Sequence, residues 1–322
     1  MGIISRGIGK VADTENGTIR RFLVSKFPRT IVGGVSLPRL ICGSNWLFGF
    51  SHTSQAKDKL IKQLFDSPSK CADVIEVFAR HGCNAFMSMP SDFAAQAIDE
   101  AQQRTGVKVI WVATPSYPQD MPWGHIDSWK ASVEYSKKVG ATFCFPHQCI
   151  TDVRLNRIWR CFDDGLVEHI KVVREFGLIP GLSSHAPEAV TCADNGGHDV
   201  ESYIQPYNAA GFLCQVETDW VADIIRNAKK PVMTIKPLAA GRLLPPTGLA
   251  FVWNTIRDCD MVTIGTMSTY EAEEDIELSM AFLEKRHADV QLQFTRSKKA
   301  LFREEQPHSP APVSEPKTSS SN

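Results

Sequence analysis

From residue 37 to residue 285 the chain alternates between two hydrophobic rhythms. Short, nearly continuous apolar runs are separated by longer stretches in which apolar positions recur every three or four residues. The first rhythm reads as strands buried on both faces, the second as helices with one apolar stripe. The strand-like runs are LPRLICG (37–43), NAFMSM (84–89), VKVIWVA (107–113), ATFCFPH (141–147), LIPGLSS (178–184), ESYIQPYN (201–208), PVMTIKP (231–237) and DMVTIG (260–265). Helical patterns lie between them, such as SQAKDKLIKQLF, SDFAAQAIDEAQQRTG, DGLVEHIKVVREFG and TDWVADIIRNAKK. Ser54 and Ser91 stand where N-caps belong, Gly82, Gly106 and Gly177 where helices stop, and Ser268 with Glu271 forms a capping box.

Eight strand–helix units in one continuous run predict a closed (β/α)₈ TIM barrel of the α/β class over residues 31–290. An open doubly wound sheet fits less well, because no GxGxxG follows the first strand. Residues 1–30 read as an N-terminal extension. Residues 303–322, rich in Pro and Ser and almost without apolar side chains, read as a disordered tail.

Composition narrows the function classes. The chain has 322 residues, 43% hydrophobic and 22% charged, with a net charge of −1. That balance gives no electrostatic reason for a nucleic-acid or membrane partner and points to a small-molecule substrate. No apolar stretch is long enough to span a bilayer, and the N-terminus lacks a secretory signal pattern, so the expected location is cytoplasmic. Nine scattered cysteines without a CxxC read as reduced thiols.

In a (β/α)₈ barrel the chemistry sits at the C-terminal ends of the strands. The residues following each strand are therefore the candidates. The first strand is followed by Ser44, Asn45 and Trp46, with His52 beyond, the second by Ser88 and Asp92, and the third by Thr114 and Tyr117. The fourth strand ends at His147 and the fifth at His185; Tyr207, Asn208 and Glu217 follow the sixth. The seventh ends at Lys236 and the eighth at Gly265 and Thr266. A single strand-end histidine is usually a packing residue, but two on neighbouring strands shift the balance toward function. Lys236 follows the buried run VMTI, so its side chain starts from the interior, where desolvation lowers an ammonium pKa. Cys149 and Asp152, just past His147, read as structural.

Several stretches, in order, resemble the aldo-keto reductase superfamily over about residues 30–285: TIVGGVSLPRLICGSNWLFGF, HGCNAFMSM, FCFPHQCITD, EHIKVVREFGLIPGLSSHAPEAV, IQPYN, KPLAAGRL and VTIGTMSTYEAEEDIELS. The resemblance implies a TIM barrel, NAD(P) as cofactor and His147 as the family's active-site histidine. It also implies departures. The family's Asp position reads Met87 or Ser88, its Lys position reads Thr114, and no tyrosine follows in MPSDFAAQ. The last loop carries Glu271, Glu273, Glu274 and Asp275 where the family has basic residues for the nucleotide phosphate; Gly265, Thr266 and Asn208 remain as cofactor-binding candidates.

Three readings follow. The first is a non-redox isomerase, epimerase or lyase acting on a sugar-like or carbonyl substrate, with His147, His185 and Lys236 in acid–base roles or a divalent metal held by His147, His185 and Glu217. The second is an atypical NAD(P)-dependent aldo-keto reductase, with Tyr117, Tyr207 or Lys236 replacing the missing tyrosine. The third is a catalytically inactive barrel that acts as a binding protein.

Overall fold

The computed structural model describes residues 27–293 together with Lys298. The chain through Ala288 is one compact unit, and residues from Asp289 onward are assigned to a second. The tail at 303–322 and most of the expected N-terminal extension lie outside the described residues. Of that extension, residues 27–30 are packed: Phe27 is buried with its ring 6.1 Å from that of Trp253.

A hairpin comes first, β1 (Arg29–Val32) and β2 (Val35–Pro38), joined across Gly33 and Gly34. Both glycines have positive φ, as a two-residue hairpin loop requires. The expected first strand, 37–43, is thus two elements, because the chain breaks at Arg39. Its buried guanidinium turns away from the hairpin to donate to the Asp260 and Arg257 carbonyls at 2.8 Å each.

The barrel then begins with β3 (Leu40–Gly43), followed by helices α1 (Asn45–Phe48), α2 (Gln55–Leu64) and α3 (Pro68–Arg80). Next come β4 (Ala85–Ser88), α4 (Asp92–Thr105), β5 (Ile110–Ala113), α5 (Ile126–Lys138), β6 (Phe143–Cys144) and the single turn α6 (Gln148–Thr151). A small ribbon, β7 (Leu155–Asn156) and β8 (Cys161–Phe162), precedes α7 (Asp164–Glu175). The fifth barrel strand is in two pieces around Gly181, β9 (Ile179–Pro180) and β10 (Leu182–Ser183), and leads to α8 (Glu188–Gly196). The remaining units are β11 (Tyr203–Pro206) with α9 (Thr218–Asn227), β12 (Val232–Ile235) with α10 (Pro245–Thr255), and β13 (Met261–Ile264) with α11 (Thr269–Glu284).

The strands pair in parallel in chain order, and β13 pairs with β3. Since β9 pairs with β6 and β10 with β11, the interrupted strand completes the ring, and the (β/α)₈ expectation holds. The ribbon and α8 have no strong hydrophobic period in sequence and were not foreseen. The N-caps Ser54, Ser91 and Ser268 each accept a bond from the first helical turn as expected.

Side chains pointing inward, among them Ile41, Met87, Val112, Phe143, Phe145 and Met233, fill the barrel as a continuous core. Val32 and Leu37 of the hairpin join this core, and Gly33 lies against Ile179 at the start of the fifth strand. The hairpin therefore covers the N-terminal end and leaves the C-terminal mouth open. Gly181 is where the Phe145 ring passes: a Cβ there would collide with the ring's outer edge. Replacing Gly181 by Ala overpacks this crossing. Denaturant unfolding should show a loss of roughly 1–3 kcal/mol; a neutral effect would mean that Phe145 moves aside freely.

Candidate active site

The strand ends surround a cavity of about 850 Å³ at the C-terminal mouth. Of the sequence candidates, Ser44, Asn45, Trp46 and His52 line it from the first unit, and Ser88 and Thr114 from the next two. His147, His185, Lys236 and Gly265 complete the lining from the fourth, fifth, seventh and eighth units. Met87, the other reading of the family's Asp position, lines it too, as do Gln148, Lys57 and Met89, which no periodicity or motif singled out.

The other candidates are engaged elsewhere. Asn208 is fully buried and turned onto its own loop, donating to the Phe212 carbonyl at 3.0 Å and accepting from the Phe212 N–H at 2.8 Å. Thr266 is buried and does not line the cavity. Glu217 is exposed at the start of α9 and does not line it either. The metal set of His147, His185 and Glu217 is therefore not assembled. Among the described residues no three His, Cys, Asp or Glu side chains converge to hold a metal ion.

Neither tyrosine replacement faces the cavity. Tyr117 is buried with its hydroxyl 2.7 Å from His169 Nε2. Tyr207 is fully buried against Phe251, with ring centroids 5.2 Å apart. Among the described residues no tyrosine lines the site.

Lys236 is the centre of what does converge. It ends β12 with φ +63°, a conformation a non-glycine residue adopts only under constraint. Ala239, Ala240 and Gly241 also have positive φ, so the KPLAAG loop is wound tightly around this side of the mouth. Lys236 Nζ lies 3.4 Å from His185 Nε2. Burial lowers the lysine pKa to about 8. Burial first, then the lysine charge, pulls His185 down to about 3 and lowers His147 and His52 as well. Three neutral imidazoles therefore surround one ammonium at neutral pH. No carboxylate pairs with that ammonium among the described residues.

Two positioning groups were missed or read as structural only. The Asp152 carboxylate accepts from the Ser184 hydroxyl at 2.5 Å and from the His185 N–H at 3.3 Å, tying the fourth loop to the end of the fifth strand. Cys149 Sγ lies 3.1 Å from His147 Nδ1, and the Cys149 N–H also points at that nitrogen. With the Cys149 N–H donating to Nδ1, the neutral ring carries its proton on Nε2, and the thiol can then donate to Nδ1 as well. Both contacts join residues close in the fold but unremarkable in sequence.

The far wall has the opposite sign. Glu271, Glu274 and Asp275 line the cavity from α11. Ser268 caps α11 by accepting from the Glu271 N–H at 3.1 Å, while the Glu271 carboxylate reaches back past the cap to accept from the Met267 N–H at 2.6 Å. Asp275 is 3% exposed, and its Oδ1 has no hydrogen-bond partner among the described residues. Burial, then Glu271 and Glu274, raises its pKa to about 8. Trp46 lies between the two walls: a Cβ on Gly265 would come within 3.0 Å of its indole, and Lys57 Nζ is 5.3 Å from its ring centroid.

Against solved structures the chain matches aldo-keto reductase barrels. A provisionally named aldo-keto reductase from Pseudomonas aeruginosa aligns over 81% of this chain and 98% of its own, at 14% identity and a TM-score of 0.55. A glycerol dehydrogenase from Gluconobacter oxydans aligns over 83% and 99%, at 10% identity and a TM-score of 0.52. An aldo/keto reductase from Brucella melitensis aligns over 80% and 99%, at 14% identity and a TM-score of 0.51. At such identities the likeness is one of fold. No family model matches the chain, and no curated protein matches it in sequence. Among the described residues no helix is long and apolar enough to cross a membrane.

The Asp275 shift has a testable consequence. Its folded pKa lies above the unfolded value, so the stability of the protonated form is complete below the ordinary carboxylate range and is lost as pH rises toward about 8. Asp275→Asn should therefore raise Tm over wild type at about pH 8.5 and much less at about pH 4.5. Equal differences at both pH values would contradict the assignment.

Proposed function

We propose that this chain, which has the fold of the aldo-keto reductases, is an oxidoreductase that interconverts a small carbonyl compound and its alcohol with NAD. In this reading Lys236 takes the place of the family's tyrosine. The observation that carries it is the desolvated Lys236 ammonium, 3.4 Å from a neutral His185, at the mouth of a barrel of this fold.

The donor set suits NAD better than NADP. Glu271 and Glu274 suit the hydroxyls of a ribose and repel a 2′-phosphate, and the buried Asp275 carboxyl, held neutral at neutral pH, adds a hydrogen-bonding group without charge. Of the N–H groups around the start of α11, those of Met267 and Glu271 are engaged by the Glu271 carboxylate and the Ser268 hydroxyl, while the first-turn N–H groups of Thr269 and Tyr270 face no such acceptor and suit the cofactor's pyrophosphate. Bound there, the cofactor would supply or accept the hydride.

The chain's own groups do the proton chemistry. A lysine with a pKa near 8 is mostly protonated at neutral pH, yet close enough to neutrality to give up its proton easily. It would donate to the carbonyl oxygen as negative charge develops there. His147, with Nε2 protonated, supplies a neutral hydrogen bond to the same oxygen. The expected isomerase or lyase chemistry needs a base instead. The histidines, with lowered pKa values, are weak bases, and the metal alternative has no assembled ligand set.

Tryptophan fluorescence should report saturable NADH binding, tighter than NADPH by roughly tenfold or more. With a panel of short carbonyl compounds, neutral and 2-oxo acid alike, as substrates, oxidation of NADH followed by absorbance should fall about 10²-fold or more in Lys236→Met. For wild type, kcat/KM in the reducing direction should decline as pH rises through about 8 and Lys236 loses its proton. Absence of NADH binding at millimolar concentration would overturn the reading.

A further inference from the structure

The cavity is polarised, and among the described residues its cationic end has no anionic partner. The groups facing Lys236 come from every side of the mouth: His52 from the first loop, His147 from the fourth, His185 from the fifth and Cys214 from the sixth. None is a carboxylate. The acids of the cavity sit on α11, and among the described residues none of them forms an ion pair with the lysine, whose Nζ lies against His185. An ammonium held in a low-dielectric site without an anion is costly, and a bound anion offsets that cost.

We infer that this end of the cavity is a carboxylate subsite, and that the substrate is a 2-oxo acid or the matching 2-hydroxy acid. The inference rests on Lys236 facing the substrate, as in the function proposed above, and adds the substrate's chemical class. The keto oxygen and one carboxylate oxygen of a 2-oxo acid lie side by side. A lysine has three N–H donors and no acceptor, so one ammonium bonds to both oxygens at once. The protonated Nε2 of His147 adds a donor without adding charge. The ligand is a monoanion by the same count. A phosphate dianion needs a second cation, and the next one lining the cavity, Lys57, is set over the Trp46 ring. A neutral aldehyde would leave Lys236 unpaired, so the site discriminates against it.

The test uses the full chain, with oxamate as an analogue of a small 2-oxo acid and its methyl ester as the neutral counterpart. Calorimetric titration should show saturable oxamate binding, tighter than the ester by roughly tenfold or more. Lys236→Met should abolish the preference, and its circular dichroism spectrum should match wild type. The wild-type pair decides the matter even if that variant fails to fold. Equal binding of oxamate and ester, no binding of either, or inorganic phosphate binding tighter than oxamate would each overturn the inference. A parallel NADH titration separates the two ideas. NADH binding without an oxamate preference sinks the subsite and leaves the redox reading intact; oxamate preference without NADH binding does the reverse.

Discussion

Closure between the last and first barrel strands is the constraint on which the site depends. Two buried groups organise that seam. Arg39 donates to backbone carbonyls of Arg257 and Asp260, and the Asp260 carboxylate accepts from the Val232 N–H and from Arg257. The Val262 N–H returns to the Arg39 carbonyl at 2.7 Å. An ion pair of this kind stabilises little by itself once desolvation is counted. Its effect is to hold the starts of β3, β12 and β13 in one register. Once the ring is closed, parallel strands deliver their following residues to one mouth, and residues nearly 200 positions apart become neighbours.

At that mouth the chemistry follows from what is missing around Lys236. No carboxylate pairs with it among the described residues, and burial lowers its pKa. Burial first, and the lysine charge second, lowers the histidines around the same mouth. The KPLAAG turn, with its run of positive φ, carries the lysine at the mouth, with Nζ 3.4 Å from His185 Nε2. Asp152 and Cys149 act through backbone and ring contacts to orient the two closest imidazoles.

The two walls of the cavity divide the work. The Lys236 side suits an electron-rich oxygen; the α11 side, with three acids and a helix start capped by Ser268, suits hydroxyl donors. Trp46, packed on Gly265 and near Gly241, separates them. A barrel of the same fold with basic residues on α11 would present the opposite charge there without any change in strand order, which is why fold likeness alone leaves the chemistry open.

Periodicity and punctuation determined the eight-unit barrel from sequence alone, because each buried strand and each amphipathic helix writes its own local pattern. They also placed His147, His185 and Lys236 at strand ends, since position after an apolar run is a local property. What lay beyond local reach was orientation. Asn208, Thr266 and Tyr117 follow strands just as His147 does, yet each turns away to bonds or packing that no neighbour in sequence foretells. Glu217 has metal-ligand chemistry but stays at an exposed helix start. The split at Arg39 was hidden because its partners, Arg257 and Asp260, come more than two hundred residues later. Side-chain direction and charge environment are set by contacts across the closed ring, and only the tertiary structure decides those.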